Sequence, residues 1–266
     1  MKDQTLPTIS IVIPRRGVND DNLGKKHALR MLIDSAQTEY IWMRDDDVLE
    51  PKITLTEMSR ILYNLGEPDL LILPLRMTSG NGKLIERLQQ AEYAAIQQLT
   101  IISALKNRAV MCSGANLVVR RACWLKYYGD LHPELPSGDD MFLLESFKRH
   151  GLKIACIDLY EATATVTPCP DLHSLLRQRM RWAGKAPHYT DRDIRLCGFA
   201  VATANMLQLL CPPLIILKFP IEYQLIKKRE RDISLFLALL LELLYPFYML
   251  LCLTGGIVSR HNSPRF

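Results

Sequence analysis

The stretch YIWMRDDDVLEP, residues 40–51, constrains the fold more strongly than any other part of the sequence. A short apolar run is followed directly by three aspartates, and such a run predicts one buried β-strand. The strand would carry the carboxylates to the open end of a sheet, which is where α/β folds bind ligands. A solvated acidic turn would give the same three letters, so the rest of the chain has to decide between these two interpretations.

Asp45 and Asp47 are the two carboxylates of this stretch that we expect to bind a metal ion. Side chains alternate along an extended segment, so these two would lie on the same side of it. Two convergent carboxylates form a hard oxygen site that suits Mg²⁺ or Mn²⁺, and such an ion could bridge to a diphosphate.

Strand and helix patterns alternate along the first part of the chain. Apolar, β-branched runs predict strands, whereas spacings of three and four residues predict helices. The alternation is typical of a doubly wound α/β sheet, and we expect its first strand to be covered on both faces. The strands are predicted at residues 8–14, 40–44, 70–75 and 111–120, and the helices at residues 23–36, 53–65, 83–106, 139–150 and 171–182.

Two segments between these elements are candidates for phosphate or ligand contacts. Lys25 and Lys26 stand at the entry of a helix, where they oppose the macrodipole unless an anion lies between them. We predict a phosphate contact from Lys25 or Lys26, with Lys25 in the substrate-binding set and two solvated lysines as the simpler alternative. The small residues from Ser113 to Asn116, including Gly114, would let the backbone approach a ligand closely, although a tight turn explains them equally well.

A second acidic site and a basic helix complete the candidate residues. Asp139 and Asp140 begin a predicted helix, where acidic residues are common as caps, but one carboxylate facing the metal could accept a proton. Gln178, Arg181 and Trp182 share one helix face and could bind a diphosphate and stack against a sugar ring. A basic helix beside a bilayer, anchored by its tryptophan, is the alternative for this face.

The hydrophobic content rises sharply after about residue 196, which divides the chain into a domain at 1–195 and a membrane-associated helical region at 196–266. Residues 196–217 and 233–258 are each long enough to cross a bilayer of about 30 Å. The basic segment KKRERD between them conflicts with the positive-inside rule for two crossings, so one segment is interfacial or re-entrant in this interpretation. The net charge of +5 suits a membrane surface and phosphate ligands better than nucleic acid.

Cysteine usage and the N-terminus bear on the compartment. Seven cysteines occur at irregular intervals, without a CxxC pair or a histidine at metal spacing, which predicts reduced and mostly buried thiols instead of disulfides or a zinc site. The first apolar run is too short for a signal peptide. We therefore expect the domain at 1–195 to lie on the cytoplasmic side of the membrane.

Five short motifs occur in a fixed order: GKKHAL, DDD after an apolar strand, SGAN, GDD before a helix, and QRMRW before apolar helices. In this order they resemble the family 2 glycosyltransferases, membrane-associated enzymes that include cellulose, chitin and hyaluronan synthases. The resemblance implies a GT-A fold, which is a Rossmann-like mixed sheet flanked by helices. It also implies inverting transfer of a hexosyl or N-acetylhexosaminyl group from a nucleotide diphosphate sugar, usually a uridine diphosphate sugar, to a glycan or lipid-linked acceptor at the cytoplasmic membrane face.

The resemblance assigns roles to residues that match the family's motifs. Asp45 and Asp47 match the DxD pair that holds the diphosphate through Mg²⁺ or Mn²⁺, and Asp140 matches the proposed general base. Gln178, Arg181 and Trp182 match QxxRW, which lines the acceptor and diphosphate side. The full predicted substrate-binding set is Lys25, Asp45, Gly114, Asn116, Asp139, Gln178, Arg181 and Trp182.

One departure from the family's pattern leaves two other functions open. The family's opening PxYNE and VDDGS segments, which hold uracil and ribose, have no counterpart here, so we expect the first few dozen residues of the pattern to be missing. This favours, as the alternative, a catalytically inactive, membrane-anchored partner of another synthase. A palm-type polymerase with a GDD site is disfavoured, because this GDD opens a predicted helix and no basic, aromatic-rich groove is visible.

Overall fold

The computed structural model describes residues 5–14, 24–133 and 138–262, apart from the side chains of residues 24, 25 and 257–262. The strands are β1 (Ile9–Val12), β2 (Tyr40–Arg44), β3 (Leu70–Ile72), β4 (Leu75–Met77), β5 (Asn116–Arg120), β6 (Ile154–Cys156) and β7 (Ala164–Val166). The helices are α1 (Gly24–Ser35), α2 (Leu55–Asn64), α3 (Leu84–Leu105), α4 (Arg121–Lys126), α5 (Asp139–Arg149), α6 (Leu172–Ala183), α7 (Arg192–Leu210), α8 (Ile215–Arg229) and α9 (Leu235–Asn262).

The chain divides into two compact units, and the boundary between them falls within α3. The first unit contains Met1–Leu75 and Thr100–Val166, and the second contains Arg76–Leu99 and Thr167–Phe266. The first unit therefore holds the sheet with both acidic motifs, and the second holds QRMRW and the apolar helices.

A five-stranded mixed sheet in the order β1-β2-β5-β3-β6 forms the centre of the first unit. The pairs β1–β2 and β3–β6 are parallel, whereas β5 runs antiparallel to β2 and β3 on either side of it. The expected α/β class with a mixed sheet flanked by helices is confirmed. The reversed direction of β5 has a direct consequence, because its first residue, Asn116, pairs with Arg44 at the end of β2.

One face of this sheet packs on α2, whose sequence explains why it starts and where it faces. Thr54 caps the helix in a reciprocal capping box with Glu57. Met58 and Leu62, four residues apart, share a buried cluster with sheet residues that include Tyr40 and Trp42. Since strand side chains alternate, Met43 points to the opposite face from Trp42.

The expectation that the first strand is covered on both faces is wrong. In the described sheet β1 stands at the edge, and Ile11 is 38% exposed. A β-branched apolar run predicts a strand well, but it does not distinguish a central strand from an edge strand with one open face.

In the second unit, apolar side chains of α3, α8 and α9 form a buried core. Ala91 and Ala94 of α3 pack with Ile226 of α8, with Ile233 just before α9, and with Leu237 of α9. Helix α6 packs against α9 at two adjacent glycines of α9, Gly255 and Gly256. A Cβ on Gly256 would lie 2.8 Å from the carbonyl oxygen of Met180 in α6. The glycines therefore allow the backbones of α6 and α9 to approach closely.

One described helix is long and apolar enough to cross a membrane: Leu235–Gly256 within α9. The other expected span, residues 196–217, is wrong as a single helix. Helix α7 ends at Leu210, and a short 3₁₀ turn, Pro212–Leu214, precedes α8. Proline lacks an amide hydrogen, so Pro212 and Pro213 interrupt the helical hydrogen bonding that the apolar composition alone would allow.

All seven cysteines are free thiols, as expected. They are less buried than the sequence suggested, because only Cys112, Cys156 and Cys252 are fully buried.

Candidate active site

The aspartate triplet leaves the sheet at the end of β2 and enters a turn. Asp45 follows the last strand residue and is half-buried, whereas Asp46 and Asp47 lie in the turn and are exposed. The expected extended conformation of the triplet is wrong, because the strand ends at Arg44, before the three aspartates. The expected location is confirmed: the carboxylates stand at the carboxyl end of a fully buried central strand.

Arg44, directly before the triplet, is buried and lies over the Trp42 indole, with 3.9 Å from its Cζ to the ring centroid. Its Nη1 is 3.4 Å from Glu50 on the far side of the turn. Burial lowers the pKa of Arg44, and the nearby Glu50 charge only partly opposes that shift. Arg44 thus joins the two ends of the segment that carries the three aspartates.

The turn before β5 brings Gly114 to the same edge of the sheet. Because β5 is antiparallel to β2, residues 113–115 lie next to the end of β2. A Cβ on residue 114 would lie 3.5 Å from Asp139 Oδ2, 3.8 Å from Asp140 Cβ and 3.9 Å from Met43 Cε. Gly114 therefore stands where the end of β2 and the start of α5 come together.

Asn116 has a structural role in this arrangement. It is buried, accepts a hydrogen bond from Trp42 Nε1 at 2.9 Å, and donates through Nδ2 to the carbonyl oxygens of Pro74 and Ala162. A substrate contact, as predicted from the sequence, would require these internal bonds to break.

Asp139 and Asp140 form the first turn of α5 after Gly138, which caps the helix with a φ of 92°. Asp139 is buried and Asp140 is half-buried. Asp140 Oδ2 accepts from the Gly114 amide at 3.3 Å, and its Oδ1 accepts from the Met141 amide at 2.8 Å. The GDD triplet opens a helix, as expected, and the Gly114 bond fixes the Asp140 carboxylate beside the end of β2.

Cys112 lies next to Asp140, and its side chain remains a neutral thiol. Its Sγ donates to the Asp140 carbonyl oxygen at 3.2 Å. Burial raises the pKa of Cys112 well above its usual range, and the charges of Asp140 and Asp139 raise it further. A thiol in this state is a poor nucleophile.

The two lysines at the entry of α1 differ in what the structure describes. Lys25 lies in the first turn of α1, but its side chain is outside the described residues, so its phosphate contact remains a prediction. Lys26 is buried, and its Nζ donates to the carbonyl oxygens of Leu131 and His132 at 2.7 Å each. Lys26 therefore tethers α1 to the segment that precedes α5.

In the second unit, the QRMRW motif occupies the last two turns of α6. Gln178 is half-buried, while Arg181 and Trp182 are exposed. The residue that joins the motif is Arg179, which donates to Gln178 Oε1 at 2.5 Å and lies 4.2 Å from the centroid of the Trp182 ring. Its guanidinium also forms a buried ion pair with Glu92 of α3 at 2.7 Å.

A divalent ion is compatible with the aspartate turn only when other ligands complete its coordination. Among residues 5–14, 24–133 and 138–262, no group of three or more His, Cys, Asp or Glu side chains could hold an ion by itself. Two carboxylates plus diphosphate oxygens and water are the ligand set that Mg²⁺ commonly takes at phosphate sites. The oxygen donors of Asp45 and Asp47 fit such a shared site.

The sequence interpretation missed both buried arginines, Arg44 and Arg179. Each of them had a signal in the sequence, since Trp42 and Arg44 stand two apart on a strand and Arg179 and Trp182 three apart on a helix. The glutamates that pair with them could not be found in this way. Glu92 lies 87 residues from Arg179, and no local pattern indicates that contact.

Comparisons with known proteins give a match to a family model and similarities to solved structures. No curated protein matches the chain. A solved structure described as a mycobacterial protein is 16% identical, with a TM-score of 0.31, over 60% of this chain and 50% of its own length. The chain thus spans about half the length of that structure, and a similarity at this level supports no functional conclusion.

The family model described as "Glycosyltransferase like family 2" matches residues 4–185, which is more than half of the chain. The matched region contains all five motifs, from GKKHAL to QRMRW. This chain belongs to the family 2-like glycosyltransferases.

Proposed function

We propose that this protein is a membrane-associated, inverting glycosyltransferase that uses a nucleotide diphosphate sugar, with a uridine diphosphate sugar as the first donor to test. It transfers a hexosyl or N-acetylhexosaminyl group to a glycan or lipid-linked acceptor. Family membership supports glycosyl transfer in general. The observation that carries the mechanism is the hydrogen bond from the Gly114 amide to Asp140, which holds a carboxylate beside the strand end that leads into Asp45 and Asp47.

Asp140 is the general base in this proposal. It accepts the proton of an acceptor hydroxyl, and the hydroxyl oxygen attacks the anomeric carbon from the face opposite the diphosphate. A new glycosidic C–O bond forms while the bond to the diphosphate oxygen breaks, and the diphosphate leaves with the electron pair. The configuration at the anomeric carbon is inverted in this single step.

Asp45 and Asp47 would hold a Mg²⁺ or Mn²⁺ ion for the donor diphosphate. When bound, the ion neutralises the negative charge that develops on the leaving diphosphate. By motif, Gln178, Arg181 and Trp182 bind on the acceptor and diphosphate side, where a guanidinium and an indole suit a phosphate and a sugar ring. Lys25 and Asp139 remain proposed substrate contacts. Gly114 is the small residue that leaves room beside the side chains of Asp139 and Asp140.

Membrane association is supported by the apolar surface of the last three helices. Phe199 on α7, Ile216 on α8, and Phe236 and Phe247 on α9 are all more than 60% exposed. Basic residues occupy the last turn of α8, as expected next to an anionic lipid surface. Flotation with phosphatidylserine vesicles tests this part; we expect the protein to float, and a protein that stays in the dense fraction contradicts it.

The enzyme assignment is tested by incubating the purified protein with radiolabelled uridine diphosphate sugars, one at a time, with and without Mn²⁺. Asp140→Asn keeps an acceptor oxygen for the Gly114 amide but loses basicity, so the transfer rate should fall by about 10²–10⁴-fold. Equal rates for the parent and Asp140→Asn, including donor hydrolysis, would instead favour an inactive partner of another synthase.

The metal assignment has a matched control within the triplet. Asp47→Asn should abolish Mn²⁺-dependent donor binding measured by calorimetry, whereas Asp46→Asn, with the same change at the adjacent exposed aspartate, should retain it. Equal affinities for these two variants would overturn the assignment of Asp47.

A further inference from the structure

Arg179, the second residue of the QRMRW motif, contacts the side chains of the motif's first and last residues. Arg179 donates from Nη1 to Gln178 Oε1 at 2.5 Å, and its Cζ lies 4.2 Å from the Trp182 ring centroid. Its own side chain is only 6% exposed. Arg179 is therefore poorly placed to touch a substrate itself, yet it contacts two side chains that are more accessible.

Glu92 holds the guanidinium in place through two bonds. Its Oε2 accepts from Arg179 Nη2 at 2.7 Å, and its Oε1 accepts from Nε at 3.3 Å. The two carboxylate oxygens thus meet two nitrogens of a planar fork, a geometry that fixes orientation as well as distance. With Nε and Nη2 on Glu92, the Nη1 nitrogen remains directed at Gln178.

We propose that Arg179, held by Glu92, is a positioning residue that sets the Gln178 and Trp182 side chains for acceptor and diphosphate binding. This role rests on the proposed function, because it concerns the same motif. Glu92 fixes the guanidinium plane, the plane fixes the Trp182 ring that lies against it, and Nη1 fixes the Gln178 amide. The Gln178 and Trp182 side chains are then ordered before any substrate arrives, which lowers the entropic cost of binding.

The helix itself is held separately, so the arginine acts on side chains and not on the position of α6. A Cβ on Gly255 would lie 2.5 Å from Met180 Cε, which shows how closely Met180 packs on α9. Met180 lies on the same helical turn as Arg179. Loss of the guanidinium should therefore leave α6 packed on α9 while Gln178 and Trp182 become mobile.

The Arg179→Lys variant separates the effect of the guanidinium's geometry on side-chain positioning from the effect of its charge. Arg179→Lys retains a cation opposite Glu92, so the buried carboxylate keeps a partner and the protein should fold. Lysine has no planar fork and cannot bond Glu92 in two places while it also stacks flat on an indole. Glu92→Gln is the second variant, since it keeps the shape of the partner while it weakens the hold on the guanidinium. Arg177→Lys is the matched control, because Arg177 is an exposed arginine on the same helix and its side chain contacts His173.

Acrylamide quenching of tryptophan fluorescence gives a readout that does not require activity. Trp42 and Trp124 are fully buried and Trp182 is 38% exposed, so among the protein's three tryptophans the quencher reports mainly on Trp182. Trp182→Phe identifies this signal. We expect the quenching constant to rise about twofold in Arg179→Lys and Glu92→Gln, because one face of the Trp182 ring is then no longer covered by a guanidinium held in a fixed orientation.

Transfer kinetics then test the role in the reaction. For Arg179→Lys and Glu92→Gln we expect the acceptor KM to rise by about tenfold or more with a smaller change in kcat, as for the loss of a group that orients binding side chains. Arg177→Lys should match the parent in both measurements. The proposal is overturned if Arg179→Lys shows the quenching and KM of the parent, or if its quenching changes while KM does not. A parent protein without any transfer activity contradicts the proposed function instead, and the quenching measurement still decides whether Arg179 orders Trp182.

Discussion

Two buried arginines, one in each unit, share the same local arrangement but differ in their partner. Arg44 lies 3.9 Å from the Trp42 ring centroid and Arg179 lies 4.2 Å from that of Trp182. Their side chains are 4% and 6% exposed. Arg44 directly precedes the aspartate triplet, and Arg179 is the second residue of QRMRW.

The partner glutamates set the two arginines apart. Glu92 is 7% exposed and lies 2.7 Å from Arg179, whereas Glu50 is 70% exposed and lies 3.4 Å from Arg44. Burial on its own would lower the pKa of both guanidinium groups. For Arg179 the charge and hydrogen bonds of Glu92 outweigh burial and raise the pKa, but for Arg44 burial prevails and the pKa is lowered.

The contrast lies in the partner carboxylate, because both arginines have a tryptophan face beside them. A Coulomb interaction grows as both charges leave water, so a buried carboxylate offsets desolvation where an exposed one does not. Arg179 and Glu92 therefore depend on each other, while Glu50 remains solvated whether or not Arg44 is present. Removing either arginine should reveal this difference as a difference in stability.

The largest expected effect comes from Arg179→Met. Methionine fills similar volume but leaves the Glu92 charge buried without its ion-pair partner, and breaking a buried pair in this way costs about 3–5 kcal/mol. Urea unfolding in detergent, followed by circular dichroism, measures the loss. Arg177→Met on the exposed face of the same helix is the control, and a loss no greater than that of the control would mean that Glu92 does not depend on Arg179.

Removing both partners should restore most of the stability that Arg179→Met loses. In the double variant Arg179→Met with Glu92→Leu no buried charge remains, and apolar replacement of a buried pair is often neutral or stabilising. We expect a gain of about 2–3 kcal/mol over Arg179→Met in the same urea experiment. The acceptor KM should remain raised, since the fork that positions Gln178 and Trp182 is still absent. Recovery of both stability and KM would contradict a positioning role for Arg179.

Local patterns in the sequence were sufficient to place the acidic motifs on their elements. The apolar run of β2 predicted a buried strand, and the triplet lies at its carboxyl end as expected. The spacing of apolar residues after Asp140 predicted α5, which runs from Asp139 to Arg149. Both predictions depend only on residues within about one element length, where side-chain periodicity carries the information.

Strand order and long-range pairs could not be predicted in this way. Nothing local in residues 111–120 indicates that β5 lies antiparallel between β2 and β3, and that topology alone brings Gly114 next to Asp140. Asn116 illustrates the limit: it belongs to the run of small residues that suggested a ligand contact, but its side chain bonds to Trp42, Pro74 and Ala162. A polar residue on a predicted strand does not reveal whether its partner is a ligand or the core.

A smaller effect is expected from Arg44→Met in the first unit. Glu50 is solvated, so its charge is hardly destabilised when Arg44 is removed. Removal of the buried Arg44 charge also offsets the lost contact with the Trp42 ring. We expect a change of about 1 kcal/mol or less in the free energy of unfolding, measured in the same way as for Arg179→Met. A cost comparable to that of Arg179→Met would show that the exposure of the partner does not govern these pairs.

The smallest effect is expected at Asp130, an acidic group in the first unit that has three partners near the surface. Its Oδ2 accepts from Ser146 at 2.7 Å and lies 2.7 Å from Arg149 and 3.0 Å from His150, all at the end of α5 or just after it. Burial alone would raise the pKa of Asp130, but these hydrogen bonds lower it to about 2. The folded state thus binds this proton less readily than the unfolded chain does. The stabilisation is complete above pH 3.8, the usual value for this carboxyl, and is lost as the pH falls toward 2.

Asp130→Asn should therefore lower stability at neutral pH and remove part of its pH dependence below pH 3.8. Because the carboxylate is 32% exposed, solvent and salt screen the interaction, and we expect a loss of only about 0.5 kcal/mol. Unfolding midpoints at pH 7 and pH 3, each at low and high salt, measure the effect, with Asp34→Asn as an exposed control. An unchanged pH profile would show that the three partners do not favour the charged form. If Asp130→Asn lowered stability as much as Arg179→Met, the number of partners, and not their burial, would determine how much such an ion pair stabilises the protein.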